Sequence, residues 1–306
     1  MEPVKEKTGD AYRHELQKLY EEGGVKQWIF NDTDLFNFSN GIISEPASVP
    51  KLYRYSAADY WNIRNLETGQ LRLTPISELN DVMEGVPEQE QITTEPAPDF
   101  GFVKCFSECG SGTLMWGHYG DCSKGMCVEY DITRLPEEQR NILYYLFPVI
   151  YTTQRYCYVN NHYAQKDLKR YRLESADSSS CIVAEDYFFL QDILPLLLVK
   201  GQEWDYEKEW RIAIDILSFE QRCNDIEEQF GERLPHIEEG NLVAFDCISA
   251  VYMGIRMKKA VREHIVEIVK RLNASLSPAK QPIRLYEMQY TSATFKLEPH
   301  EILLDT

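Results

Sequence analysis

The sequence predicts a single-domain α+β protein with a mixed, mainly antiparallel sheet and flanking helices. Segments with strand-like alternation occur throughout the chain among helical ones, without the steady strand–helix alternation of a doubly wound parallel sheet. The 306 residues are 43% hydrophobic and 12% aromatic, which is enough for a sizeable core and excludes a disordered chain. This length is within reach of one large domain.

Residues 1–48 are predicted to form an N-terminal helical arm, and residues 49–306 the single α+β domain. In the arm, GDAYRHELQKLYEEGG has helical spacing, ends at a Gly-Gly pair and is followed by a turn-rich segment. KLYRYS is then typical of a strand, AADYWNIRNLETG of a helix ending at Gly69, and LRLT of a second strand. The acidic segment 78–100 contains three prolines and is predicted to be a surface loop lying over a site.

The rest of the chain continues this mixture. Strands are predicted over FVKCFSE, GMCVEYD, residues 204–216, LVAFDCISAVYMG and PIRLYEMQY. Helices are predicted over TLMWGHYGD, PEEQRNILYYLF with Pro136 at its start, AEDYFFLQDILPLLLVKG, FEQRCNDIEEQFGERL and the amphipathic KKAVREHIVEIVKRLNA. The polar segment 150–180 is predicted to be a loop or an insertion.

Charge and targeting patterns limit the partners of the protein. With 49 Asp and Glu against 32 Lys and Arg, the net charge of -17 argues against broad nonspecific binding of nucleic acid or an anionic membrane. The N-terminus lacks the pattern of a secretory signal, and the apolar stretch 188–199 is too short to span a bilayer. Eight cysteines diluted through such a chain are expected to be reduced thiols, so we expect a cytoplasmic protein without a membrane partner.

The stretch WDYEKEWRIAI, residues 204–214, places charged residues in alternation inside an apparent strand. Glu207, Glu209 and Arg211 would share one face of that strand, opposite an apolar face. One interpretation is a solvated face on which Arg211 pairs with the glutamates. The other is a carboxylate pair in a cleft, which could stabilise the oxocarbenium-like state of glycosidic bond cleavage.

Several of these segments resemble a known family. LYRYS, LNDVMEG, CFSE, LMWGHYGDCSKGMCVEYD and KGQEWDYEKEWRIAI follow one another as in the uncharacterised bacterial family catalogued as domain of unknown function 2971, and the likeness continues weakly into AVYMG. It covers about residues 51–297. Because the family is uncharacterised, membership leaves the function open.

A more distant likeness carries a functional expectation. A basic residue on a first strand, a helix ending in Gly, a Ser-bearing strand and a Glu-x-Glu strand resemble the Arg–Ser–Glu layout of ADP-ribosyltransferases, with Arg54, Ser107 and Glu209 at the three positions and Glu207 upstream. The resemblance implies a split sheet with an ADP-ribosyltransferase-like fold and NAD as substrate. Glu209 would bond a ribose hydroxyl and support cleavage of the nicotinamide bond, Arg54 would orient the dinucleotide, and Ser107 would hold the Glu strand. Ser107 departs from the pattern because it is not in a Ser-Thr-Ser tripeptide.

Two further groups have both a functional and a structural interpretation. In MWGHYGD, Trp116 and Tyr119 could stack on nicotinamide or adenine and His118 could act as an acid or base, or the aromatic residues could belong to the core. Asn80 and Asp81 could hold Arg54 or only form a turn.

The cysteines around His118 also bear on metal binding and nucleophilic catalysis. The cysteines at 105, 109, 122 and 127 lie near His118, but no second tight Cys pair follows, so no metal site is predicted. A cysteine nucleophile paired with His118 has no local signature to support it.

The sequence thus predicts an NAD-dependent ADP-ribosyltransferase-like enzyme or NAD glycohydrolase, acting as a bacterial toxin or phage-defence effector. The alternatives are a nucleotide- or protein-binding module without chemistry, and a hydrolase of nucleotides or nucleic acid. The acceptor, whether protein, nucleic acid or water, and the oligomeric state stay open. The predicted catalytic residues are Glu209, Glu207 and His118, and the predicted NAD-binding residues are Arg54, Tyr55, Ser107, Trp116, Tyr119, Asn80, Asp81 and Arg211.

Overall fold

The computed structural model of the protein describes residues 9–21, 32–81, 83–84, 101–153, 197–215, 242–277 and 280–304. Its helices are α1 Gly9–Glu21, α2 Asp32–Ser44, α3 Tyr60–Thr68, α4 Thr113–His118 and α5 Lys259–Ser275. Its strands are β1 Leu52–Ser56, β2 Gln70–Arg72, β3 Thr74–Pro75, β4 Gly101–Ser107, β5 Met126–Tyr130, β6 Leu146–Pro148, β7 Ile150–Thr152, β8 Val199–Gly201, β9 Glu209–Asp215, β10 Leu242–Ala244, β11 Ile248–Met253, β12 Arg284–Tyr290 and β13 Leu297–Glu301.

Nine of the described strands form one open sheet in the order β13-β12-β11-β5-β1-β4-β9-β6, with β3 paired to β4. Its neighbours run antiparallel except for the parallel pair β11 and β12. Two small sheets, β10-β2 and β7-β8, complete the described strands. The predicted class, a mixed and mainly antiparallel sheet with helices, is confirmed.

The main sheet is weakly joined between β1 and β4. Strand β1 pairs with β5 along five positions and β4 pairs with β9 along seven, but β1 and β4 share a single register pair, Tyr53 with Ser107. Strand β3 takes over the same edge of β4 at Val103 and Phe102. Residues 104–106 of β4 therefore open onto a gap in the middle of the sheet.

The two faces of the sheet carry different clusters of apolar side chains. The large core lies on one face and includes Phe106, Ile212 and Phe245, with α5 packed through the buried side chains that its 3.6-residue period places on one side. A smaller cluster contains Tyr55 and Trp116, together with Cys127 and Tyr252. Cross-strand pairing places Tyr55 beside Cys127, so this cluster covers the opposite face.

The helices of the arm pack against the end of the sheet. Tyr12 of α1 meets Phe38 of α2 edge to face, with ring centroids 5.8 Å apart, and Phe38 stacks on Phe147 of β6 at 5.9 Å. Since β6 ends the sheet, these aromatic contacts cover the edge that it would otherwise expose.

Four predicted elements differ from the structure. The prediction of an α-helix over PEEQRNILYYLF is wrong, because Glu137–Tyr145 is a 3-10 helix that leads into β6. Its last four residues are all buried, so this end of the segment lacks the exposed side that an amphipathic surface helix would have. LVAFDCISAVYMG forms two strands, β10 and β11, which belong to different sheets. In the connection between these strands, Phe245 N donates to Gly69 O.

The third difference is at the start of β9. The predicted strand over 204–216 begins only at Glu209, because Gln202–Glu207 forms a 3-10 helix. The fourth difference is the helix predicted over AEDYFFLQDILPLLLVKG, whose last residues, Val199–Gly201, form strand β8 and pair with β7. The end of the arm helix at the Gly-Gly pair, the loop after Glu84, residues 154–196 and the helix over FEQRCNDIEEQFGERL lie outside the described residues.

Candidate functional site

A pocket of about 280 Å³ occupies the gap between β1 and β4. Strands β1, β4 and β9 line it, together with Thr74 of β3 and residues 78–80 and 84 of the segment that follows. Because the strands separate there, side chains from both faces of the sheet reach the pocket.

A cluster of five buried charged side chains lines one side of the pocket. Lys200 Nζ lies 2.6 Å from Glu207 Oε2, 3.1 Å from Glu209 Oε2 and 3.3 Å from Glu84 Oε1. Arg211 Nε lies 2.7 Å from Glu209 Oε1, and its Nη2 also bonds Glu84. None of the five side chains is more than 5% exposed. We call Glu84, Lys200, Glu207, Glu209 and Arg211 the carboxylate cluster.

Local backbone geometry brings the members of this cluster together. Alternation along β9 places Glu209 and Arg211 on one face, as predicted, but Glu207 arrives from the 3-10 helix and not from the strand. Lys208 makes the turn between them in the left-handed region, with φ of 46°. Ser107 Oγ holds this turn by donating to Glu207 O at 2.6 Å and accepting from Cys109 N at 3.0 Å.

The interpretation of this face as solvated is wrong. Arg211 is fully buried and Glu209 is 4% exposed. The segments carrying Glu84 and Lys200 cover the face and supply the partner charges that a buried charge needs.

The environment separates the pKa values of the two neighbouring glutamates. Burial raises the pKa of Glu207, and the charge of Glu209 adds to this, against the opposing effect of Lys200. Burial would also raise the pKa of Glu209, but Arg211 and Lys200 outweigh it and lower that pKa to about 2. Two carboxyl groups whose pKa values are driven apart can take different protonation states and different chemical roles.

Tyr119 connects the cluster to Asn80, an exposed residue that also lines the pocket. Its hydroxyl donates to Glu207 Oε1 at 2.6 Å and accepts from Asn80 Nδ2 at 3.1 Å. Burial and the hydrogen bond to Glu207 raise the pKa of Tyr119, so it stays a neutral donor to that carboxylate.

Two cations line the other side of the pocket. Ser107 pairs with Glu209 of β9 and with Tyr53 of β1, so these residues, together with Cys105, lie on one face of the sheet. Lys104 and Arg54 are each next in sequence to one of them, so their side chains project from the opposite face. Lys104 Nζ donates to Arg72 O at 2.5 Å, and Arg54 Nη1 donates to Asn62 Oδ1 at 3.1 Å. The pocket therefore has the paired carboxylate cluster on one side and two cations on the other, and Glu78 also belongs to its lining.

Most of the predicted site residues line this pocket. They are Arg54, Tyr55, Asn80, Ser107, Tyr119, Glu207, Glu209 and Arg211. The sequence interpretation missed Glu84, Lys104 and Lys200. Glu84 and Lys200 do occur within the motifs LNDVMEG and KGQEWDYEKEWRIAI, but the pairing of Arg211 with Glu84 spans 127 positions and has no local signature.

The other three predicted residues do not line it. Trp116 is fully buried against Tyr55, with ring centroids 5.2 Å apart, so its ring has no free face for a ligand. His118 is exposed, with its ring 6.5 Å from that of Tyr206. Asp81 accepts from Met83 N at 2.9 Å, which is the turn interpretation of this residue.

The fold and the pocket define a mixed α+β protein with a buried, paired carboxylate cluster at a gap in its sheet. A family model described as a protein of unknown function, DUF2971, matches residues 115–212, which supports the likeness to that family. The matched stretch includes Tyr119, Glu207, Glu209 and Arg211. No curated protein and no solved structure matches the chain.

Two further findings concern membranes and metals. In the described part of the chain, no helix is both long enough and apolar enough to cross a bilayer. Among the same residues, no three His, Cys, Asp or Glu side chains are arranged as a metal site. Within the carboxylate cluster, the ammonium of Lys200 lies among the three glutamates.

Proposed function

We propose that the pocket is the active site of an NAD-dependent ADP-ribosyltransferase-like enzyme that cleaves the nicotinamide–ribose bond. The observation that carries the proposal is the pair Glu207 and Glu209, which lines the pocket with pKa values displaced in opposite directions. Cleavage of a glycosidic bond uses two such carboxyl groups, one ionised beside the developing cation and one that exchanges a proton.

In this mechanism, the bond between ribose C1′ and the nicotinamide ring nitrogen breaks. Its electron pair stays on that nitrogen, so the cationic ring leaves as neutral nicotinamide and positive charge develops on the ribosyl group. Glu209 stabilises this charge because Arg211 and Lys200 keep it ionised. The cluster holds three carboxyl groups against two cations, so it has one net negative charge when all are ionised.

Glu207 would serve the second half of the reaction. The acceptor, a protein side chain, a nucleic acid base or water, attacks C1′ and gives up a proton. Glu207 can take this proton because its pKa is raised and because Tyr119 and Lys200 fix its two oxygens. Ser107 positions it through the bond to its carbonyl, and Arg54 orients the dinucleotide from the other side of the pocket.

The test is nicotinamide release from NAD, with cell lysate added as a source of acceptors. Glu209→Gln is expected to lower the rate by about a hundredfold or more, since it removes the charge that stabilises the transition state. Glu203→Gln makes the same chemical change at an exposed position of the adjoining 3-10 helix, and it should keep the wild-type rate. A folded Glu209→Gln protein with full turnover would remove this mechanism.

The proposal includes a cellular role, in which the enzyme acts as a toxin or a defence protein in bacteria. Consumption of NAD would arrest growth, so expression of the wild-type protein is expected to slow bacterial growth and Glu209→Gln to relieve it. Equal growth of the two strains at matched protein levels would count against this role.

One observation favours a binding module as the second candidate. Both oxygens of Glu209 already bond Arg211, and one of them also bonds Lys200. A cluster whose hydrogen bonds are all made within the protein can hold the walls of a ligand pocket without taking part in chemistry. Native mass spectrometry of the purified protein distinguishes the two, because a retained and chemically unaltered nucleotide would favour binding without chemistry.

A further inference from the structure

We propose that Lys104 and Arg54 form an anion subsite in the pocket and that its ligand is the diphosphate of a nucleotide. The inference deepens the proposed function, since NAD carries such a diphosphate. Its central residue, Lys104, lies outside the carboxylate cluster.

The first support is the position of Lys104. It lies on β4 between Ser107, which forms the single register pair with β1, and Val103, where β3 begins to pair. This is the part of the strand edge that opens onto the gap. Lys104 lines the pocket although only 4% of its surface is exposed.

The second support is that no described carboxylate, including Glu78 in the lining of the pocket, forms an ion pair with Lys104 or Arg54. Lys104 Nζ donates to a backbone carbonyl, and Arg54 donates to the neutral amide of Asn62. The nearest acid along this chain of contacts, Asp59, is itself bonded by Asn62 Nδ2 at 3.0 Å. Lys200, in contrast, has three carboxylates within 3.3 Å.

Burial of an ammonium group without a counter-ion is unfavourable, and the ionisation of Lys104 reflects this. Burial and then the neighbouring charge of Arg54 lower the pKa of Lys104 well below its ordinary value. An anion bound between the two cations would remove both penalties. A residue whose charge costs stability unless an anion is bound is the kind expected at a binding site.

The distribution of charge indicates which anion. Arg presents a planar fork of donors and Lys a compact charge, and the two together match adjacent phosphate groups. The basic side faces the anionic end of a dinucleotide, while the carboxylate cluster on the other side suits the cationic nicotinamide ribosyl end. An uncharged nucleoside would use neither side.

The experiment is a calorimetric titration with three probes, namely ADP-ribose, inorganic pyrophosphate and adenosine. The proteins are the wild type, Lys104→Met, Arg54→Gln, Glu209→Gln and the control Lys259→Met, whose side chain is 89% exposed on α5. The wild type and the control are expected to bind ADP-ribose and pyrophosphate much more tightly than adenosine. Lys104→Met and Arg54→Gln should each weaken both anions by roughly ten- to a hundredfold, the effect of losing a charge-assisted hydrogen bond.

Thermal unfolding distinguishes a binding role from a structural one. Lys104→Met is nearly isosteric and removes an unpaired buried charge, so its melting temperature should equal or exceed that of the wild type. If this variant does not fold, Arg54→Gln carries the test. Glu209→Gln should keep pyrophosphate binding, so failure of the proposed catalysis would leave this result intact.

Three results would overturn the subsite. They are unchanged affinity for both anions in Lys104→Met and Arg54→Gln, equal losses in the Lys259→Met control, and a wild type that binds neither anion even if it turns over NAD. Binding of pyrophosphate without ADP-ribose would overturn the nucleotide assignment.

Discussion

Arg211 shows at the residue scale how strongly the pocket depends on charge pairing. Its fully buried guanidinium donates to Glu209, Glu84 and Leu197 O, the last at 2.7 Å. Its three nitrogens, Nε, Nη1 and Nη2, therefore all donate hydrogen bonds. A residue in this position is strongly coupled to stability, whatever the chemistry of the site.

We expect Arg211→Met to lower the free energy of unfolding by about 3–5 kcal/mol, because it removes one of the two cations that pair with the buried carboxylates of Glu84 and Glu209 and leaves them to share Lys200. Urea unfolding measures the change. Arg271→Met is the matched control, since Arg271 pairs with Glu67 on the surface with 64% of its side chain exposed. That variant should change stability by less than about 1 kcal/mol. Equal losses in the two variants would contradict the importance assigned to the cluster.

The lowered pKa of Glu209 makes a second prediction at this scale, on acid stability. A carboxyl group whose pKa is lower in the folded than in the unfolded chain stabilises the fold above its unfolded value, and this stabilisation is lost as pH falls through the folded value. For Glu209 the loss falls between about pH 4.5 and about pH 2. Glu129, which Lys51, Ser249 and Tyr252 bond, contributes with the same sign over the same range.

Glu209→Gln should therefore be less stable than the wild type at pH 7, and the difference should shrink as pH falls to about 2. Denaturant unfolding at a series of pH values measures it. The raised pKa of Glu207 has the opposite sign, so Glu207→Gln should lose less stability at pH 7 than Glu209→Gln does. A stability difference for Glu209→Gln that does not vary with pH would refute the assignment.

At the scale of elements, helix α1 acts on the strand that carries Glu209. Arg13 Nη2 bonds Glu209 O at 3.2 Å and lies 2.6 Å from Glu108 Oε1, the oxygen that also accepts from Trp210 Nε1 at 2.7 Å. The ring of Tyr12 packs edge to face on Trp210, with centroids 5.5 Å apart. The helix thereby holds the backbone beside the pocket in place from the other face of β9.

We expect Arg13→Met to lower the free energy of unfolding by about 1–3 kcal/mol, because Glu108 loses its ion pair and Glu209 O a donor. If the proposed function holds, kcat for nicotinamide release should fall more than KM changes, since the variant displaces the carboxylate and leaves the anion subsite alone. Lys18→Met, on the exposed side of the same helix, serves as control. Wild-type stability in Arg13→Met would show that α1 packs without supporting β9.

At the scale of the whole molecule, the excess of acidic residues is a source of repulsion in the folded state. The net charge of -17 belongs to a compact chain, in which like charges are closer than in the unfolded one. Salt shortens the range of these interactions from ~30 Å at 0.01 M to ~8 Å at 0.15 M. Buried pairs such as Lys200 with Glu207 are screened much less.

The melting temperature is therefore expected to rise as NaCl increases between about 0.01 M and about 0.15 M. Differential scanning calorimetry at constant pH measures this shift. A fall over the same range would mean that attractive surface pairs outweigh the net repulsion. The Arg211→Met variant should show the same dependence on salt, because the cluster it disrupts lies inside the protein.

The sequence by itself determined the features that depend on local pattern. Period-2 alternation located β1, β4, β5 and β9, and the 3.6-residue period located α5, since each reflects which side chains neighbouring residues bury. The same alternation placed Glu209 and Arg211 on one face. It failed for Glu207, because a left-handed residue at Lys208 interrupts the strand and no hydrophobic pattern marks such a turn.

Only the tertiary structure decided that this face is buried and which charges meet there. Glu84 comes from a distant segment and Lys200 from β8, before the 3-10 helix, so their pairing with Arg211 and Glu209 follows from the fold of the chain and not from the alternation along β9. The single register pair between β1 and β4 opens the pocket, and it likewise depends on where β3 takes over the edge. Local sequence sets which way a side chain points relative to its own backbone, whereas burial and partner charges are set by whatever the rest of the fold packs against it.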